Sequence, residues 1–168
     1  MRAVRGAWVD CAWTMPATRF CSFDDSLWPL LILRVVGEAS NQQFEEYLEA
    51  SASYFHRGEP HVIVSDLLHV GMVSAELRRR QAEWTARHEG IIRGTLLGNA
   101  FVISNAPFFR LGLNILFHLN PPSWPYVVVS SMEPALAWAA VRLDEAGLRE
   151  PAERVQRHFG LPALSQSG

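Results

Sequence analysis

Apolar and polar positions change rhythm repeatedly along the chain, and each change marks an element. Residues 30–36 are a continuous apolar run ended by Gly37, which predicts a buried strand. Ser40 or Asn41 then caps a helix whose apolar face carries Phe44, Tyr47, Leu48, Ser51, Tyr54 and Phe55. Arg57, Gly58 and Pro60 end it. A second strand is predicted over 61–66, followed by a loop over 67–73. Ser74 caps the next helix, with Leu77, Gln81, Trp84, His88 and Ile91 on one stripe and Gly94 at its end.

The alternation repeats twice more. Residues 100–104 read as a strand, and Asn105 and Pro107 open a helix over 107–119. A proline-rich loop leads to a strand over 126–130. A helix follows over 132–146, burying Leu136, Ala139, Ala140 and Leu143, with Gly147 as its cap. Ahead of all this, residues 1–18 read as an N-terminal edge segment, 19–22 as a short strand and 23–26 as a turn. Four strand–helix alternations require crossover connections. They predict one α/β domain over 1–147, with a mixed four- to five-stranded sheet and about four helices. Residues 148–168 are expected to add a short helix and a polar tail.

Composition narrows the classes. The chain has 168 residues, 49% hydrophobic and 19% charged, enough apolar material for a core. The net charge of −2 leaves no basic surplus for phosphates, which argues against a nucleic-acid partner. All fifteen basic residues are Arg, so no lysine is available as a Schiff base or general base. No stretch reaches the roughly 18 apolar residues that span a bilayer. Cys11 and Cys21 form neither a CxxC nor a zinc pattern, and the first residues lack a signal-peptide run, so a cytoplasmic location is expected.

The order and spacing of these elements resemble the STAS-like domains, in particular the SpoIIAA-like, anti-sigma-factor antagonist group also labelled STAS/SEC14. The residues that carry the resemblance are 31–37, the 44–55 helix, Val62-Ile63-Val64-Ser65-Asp66, the loop to Ser74, 100–103 and Ser131-Met132-Glu133-Pro134-Ala135-Leu136-Ala137-Trp138. In phosphorylatable members a strand-ending Asp precedes a helix start whose second residue accepts phosphate from a kinase. The resemblance places Asp66 at the strand end, Ser74 at the motif's Asp and Ala75 at the acceptor position. It implies the fold, and it leaves the acceptor position without a hydroxyl unless the register slips by one, which would make Ser74 the modified residue.

No catalytic constellation stands out. Asp66 and His69 could orient an imidazole for proton transfer, which gives a hydrolase reading, but no nucleophile elbow accompanies them. The six histidines show no zinc spacing and no glycine-rich phosphate loop is present, so no metal and no cofactor are expected. A non-catalytic regulatory or interaction module is the primary reading, its protein partner unidentified. Asp66, His69, Met72, Ser74, Arg78 and Arg79 are its expected partner surface. The 107–119 helix is apolar on nearly every side, through Phe108, Phe109, Leu113, Leu116 and Phe117 among others. Such a helix is internal core, the seam of a homo-oligomer, or the wall of a site for an apolar small molecule or lipid. That last possibility makes a carrier or sensor of a hydrophobic ligand the alternative reading.

Overall fold

The computed structural model describes residues 20–104 and 121–163. The N-terminal segment 1–18 with Cys11, the 107–119 helix with Phe108, Phe109, Leu113, Leu116 and Phe117, and the last five residues lie outside the described residues.

Five strands form one mixed sheet in which spatial order follows chain order: β1 (Cys21–Asp24), β2 (Leu30–Gly37), β3 (His61–Val70), β4 (Leu96–Val102) and β5 (Tyr126–Val129). β1 runs antiparallel to β2, and the remaining pairs are parallel. The helices are α1 (Asn41–Phe55), α2 (Ala75–Thr95), α3 (Met132–Glu145) and α4 (Arg149–Phe159). The predicted mixed α/β architecture is therefore the observed one.

Period-two alternation divides the strands between two cores. Leu31, Leu33, Val35 and Ile63 meet Phe44, Leu48 and Phe55 of α1 and Leu77, Trp84 and Ile92 of α2. Leu30, Val62, Val64, Ala100 and Val102 meet Ala135, Leu136, Ala139, Ala140 and Leu143 of α3. Sequential right-handed crossovers put successive helices on one face. The opposite face would stay bare if α3 did not return across it after β5. Ala135, Ala139 and Ala140 are fully buried and let the helix lie close to the sheet. Gly98 belongs to the same close approach, because a Cβ there would stand 2.5 Å from Trp138 Cη2. α4 packs on α3 through Ala152 and Val155, and Arg154 Nη2 donates to the Trp28 carbonyl at 2.7 Å.

Four boundaries differ from the sequence expectation. β1 covers Cys21–Asp24, so Phe23 and Asp24 pair with β2 rather than opening the expected turn. β3 continues to Val70 rather than ending at Asp66 in a loop, because a bulge against β2 accommodates the extra residues. β4 begins at Leu96: Leu96 packs into the α1–α2 core, Leu97 packs against the α3 core, and a one-residue register shift against β3 after Leu96 brings Ala100 and Val102 to the α3 side. α2 runs through Gly94 to Thr95 and buries Ile92 rather than Ile91. Over 21 residues its stripe follows the true helical period, Leu77–Trp84–Ile92–Thr95. The caps agree with expectation. Ser40 makes a capping box with Gln43, and the Ser74 hydroxyl accepts from the Leu77 N–H at 3.2 Å.

Candidate functional site

The carboxyl ends of parallel strands are where open α/β sheets present ligand and partner surfaces. Here Asp66 stands opposite Arg34 in the β2–β3 register, and Arg34 Nε donates to Asp66 Oδ2 at 3.0 Å. Beyond this pair the register skips, so that Val36 next faces His69. The extra residue on β3 is a bulge, which takes its backbone out of the ladder. Asp66 Oδ1 accepts from the Leu68 N–H at 3.2 Å, giving a displaced donor a partner. Both carboxylate oxygens of Asp66 are thus occupied, and the residue is 4% exposed.

The bulge separates what the hydrolase reading needs together. His69 lies past it, exposed, with no hydrogen bond to Asp66 among the described residues. Asp66 orients an arginine and the β3 bulge, not an imidazole. Gly71 N–H donates to the Gly37 carbonyl at 2.8 Å and locks the two strand exits together. Met72 then projects into solvent at 83% exposure, close along the chain to the Ser74 cap, while Val36 on the neighbouring strand is 46% exposed. These are two of the four large hydrophobic residues left exposed among the described residues.

Of the expected arginines, Arg79 pairs with Glu83 at 2.6 Å within α2, and Arg78 makes no ion pair among the described residues. Arg80 bridges to Glu45 of α1 and to Glu76 of its own helix. The arginine run is therefore largely spent on helix charge balance and on docking α2 to α1. The structure brings Asp66, His69, Met72 and Ser74 to one end of the sheet, with Arg78 and Arg79 leading away along α2. Among the described residues, no group of three or more metal-ligating side chains gathers anywhere.

Two features escaped the sequence reading. The first lies at the opposite strand ends. Trp28 stacks on His61 (centroids 5.1 Å apart) and on Tyr54 (6.1 Å), and the Arg57 guanidinium sits over both Trp28 and Tyr54 at about 4.5 Å. The His61 Nδ1–H donates to the Glu59 carbonyl at 2.9 Å, which fixes Nδ1 as the protonated nitrogen and leaves Nε2 buried with no partner among the described residues. Burial holds the His61 pKa below its ordinary value, and Arg57 reinforces that direction. Desolvation likewise raises Tyr54, helped by Asp25.

The second is a cavity of about 90 Å³ between the sheet and helices α1 and α2. Tyr47 and Ser51 of α1, Gln81 and Thr85 of α2, Asn99 of β4 and Trp124 line it among apolar neighbours. Burial pushes the Tyr47 hydroxyl up to about 12, against the opposing effect of its hydrogen bond with Ser51. The sequence signal was present for two of these. Ser51 and Gln81 are polar residues on otherwise apolar helical stripes.

Comparison with known proteins supports the fold. The chain is similar to the crystal structure of an uncharacterised protein of the DUF3478 family with a SpoIIAA-like fold from Shewanella loihica PV-4. The TM-score is 0.55 at 13% identity, over 71% of this chain and 91% of the other. The architecture is accordingly SpoIIAA-like, as the sequence resemblance implied. No family model matches the chain, and no curated protein does.

Proposed function

We propose that the chain is a non-catalytic regulatory module that binds a protein partner at the carboxyl end of β2 and β3. The observation that carries this reading is the exposure of Met72 and Val36 on adjoining strand exits, held by the Gly71–Gly37 hydrogen bond. An unbranched, polarisable side chain standing free on a rigid loop is suited to a shallow apolar pocket on a partner. His69, Ser74, Arg78 and Arg79 give that contact a polar rim. Asp66 contributes by fixing the bulge from behind. The SpoIIAA-like fold supports a regulatory role, and the commitment of both Asp66 oxygens weighs against proton-transfer chemistry with His69. The Ser74 hydroxyl serves as a helix cap, and the position after it is Ala75, so the reading involves no phosphoryl acceptor there.

We include self-association through the 107–119 segment in this reading, on the strength of its all-round apolar sequence. No helix among the described residues is long and apolar enough to cross a membrane.

The test is co-purification from the native host with wild type and with Met72→Glu. The expected result is one stoichiometric protein that accompanies the wild type and is lost with Met72→Glu, while the far-UV spectrum and melting temperature stay unchanged. Recovery of no stoichiometric partner, or of the same partner with both proteins, overturns the reading.

A further inference from the structure

We infer that Met72 is a modification site, and that its conversion to the sulfoxide by a peroxide releases the partner from the exits of β2 and β3. The inference rests on the partner surface proposed above and adds its regulation.

The two methionines among the described residues differ in access. Met72 is 83% exposed between the end of β3 and the Ser74 cap, and the Gly71–Gly37 hydrogen bond holds its base. Met132 is half-buried and packs against the core beneath α3. A thioether has no proton to lose, so the approach of the oxidant to the sulfur decides which methionine reacts. The sulfur of Met72 attacks one peroxide oxygen with a lone pair, and the S–O bond forms as the O–O bond breaks. The departing hydroxide takes the proton of the transferred oxygen and leaves as water. Sulfur loses two electrons and the peroxide gains them.

Oxidation changes the contact and leaves the fold alone. In the free chain the sulfoxide stands in water and disturbs no core. Against an apolar pocket on the partner it becomes a strong acceptor that has lost its hydration without meeting a donor. Val36, the apolar side chain on the adjoining strand exit, supplies none. A bound partner covers the sulfur in turn, so the free chain is the form that oxidises.

The test exposes the purified chain to hydrogen peroxide, removes the peroxide and follows each methionine by mass spectrometry. Met72 should gain one oxygen at least about fivefold faster than Met132, at an unchanged melting temperature. Capture of the stoichiometric protein from thiol-free native-host extract should then fall about tenfold to a hundredfold. Dithiothreitol alone should not restore capture, which separates the effect from the Cys21 thiol. Dithiothreitol with the two epimer-specific methionine sulfoxide reductases should restore it. Met72→Leu should bind more weakly than wild type, and equally before and after peroxide. The inference alone is overturned if Met132 oxidises as fast as Met72, or if oxidised wild type captures the protein unchanged. It is equally overturned if dithiothreitol alone restores capture, or if Met72→Leu loses capture on treatment. Untreated wild type that captures no stoichiometric protein overturns the partner surface itself, and the switch with it.

Discussion

Asp66 is buried while its ion-pair partner Arg34 is not: the side chains are 6% and 59% exposed, joined Nε to Oδ2 at 3.0 Å. The asymmetry assigns their energetic roles. An arginine that remains in water gains little from the pair. A carboxylate enclosed beside a bulge has to keep its acceptors occupied. The two substitutions that separate these effects are Asp66→Asn and Asp66→Ala. Asp66→Asn retains an acceptor for the Leu68 N–H and should cost at most about 1 kcal/mol. Asp66→Ala loses the arginine contact and strands that N–H, and should cost about 1–3 kcal/mol. Urea denaturation of both variants checks the order. Equal costs would show that charge, not the backbone contact, is what matters.

His61 gives the fold an acid sensitivity with a definite sign. Its pKa in the folded chain lies below the ordinary 6.5, so the unfolded chain takes up a proton first as the pH drops. Stability from this residue is fully present above pH 6.5 and declines as the pH falls below it. Urea midpoints at pH 7.5 and pH 5.5 should therefore diverge more for wild type than for His61→Phe, which removes the titrating group and keeps a ring against Trp28. An equal pH response in both proteins would refute the assignment.

The Gly98 contact predicts steric intolerance. Ala at that position would put its Cβ 2.5 Å from Trp138 Cη2 and 3.1 Å from the Pro125 carbonyl. Relief requires the Trp138 ring or α3 to shift, with the Pro125 carbonyl closing the other side. Gly98→Ala should destabilise by about 1–3 kcal/mol. A paired Trp138→Leu should recover much of that loss, as judged by thermal melts of the single and double variants.

Ser74 should behave as a helix cap at the partner's rim and not as a phosphate acceptor. Ser74→Ala removes the acceptor for the Leu77 N–H and should cost about 1 kcal/mol, whereas Ser74→Asp should keep most of the stability. Phosphate found on Ser74 by mass spectrometry of the protein purified from its native host would assign the hydroxyl a signalling role instead.

The self-association proposal has its own readout. Light scattering should give a multiple of the 18.9 kDa chain mass for wild type and a folded monomer for Phe109→Glu. Unfolding of that variant would instead assign the 107–119 segment to internal core.

How legible these features were depended on whether the signal was periodic. The strands around Leu31, Val62 and Val102 and the stripes through Phe44 and Ala139 are local patterns, and the fold followed from them. Ser40 and Ser74 were legible as caps because capping is a short-range hydrogen bond. The bulge after Asp66 was not, because Leu67, Leu68 and Val70 continue an apolar pattern whose pairing is set by β2. The His61–Trp28 stack joins residues from separate elements, and no spacing along the chain announces it. Of the cavity lining, Ser51 and Gln81 were visible as polar interruptions of apolar faces. Asn99 and Trp124 become meaningful only once β4 and the loop before β5 stand beside the helices.

The hydrogen bond from Arg154 to the Trp28 carbonyl spans 126 residues of sequence. It ties the last described helix to the turn that launches β2, so early and late parts of the chain share one closure. Loss of α4 would loosen that turn as well as uncover α3. Native-state hydrogen exchange should accordingly report common opening for amides of α4 and of the turn before β2. The two ends of the described chain would then belong to a single cooperative unfolding unit.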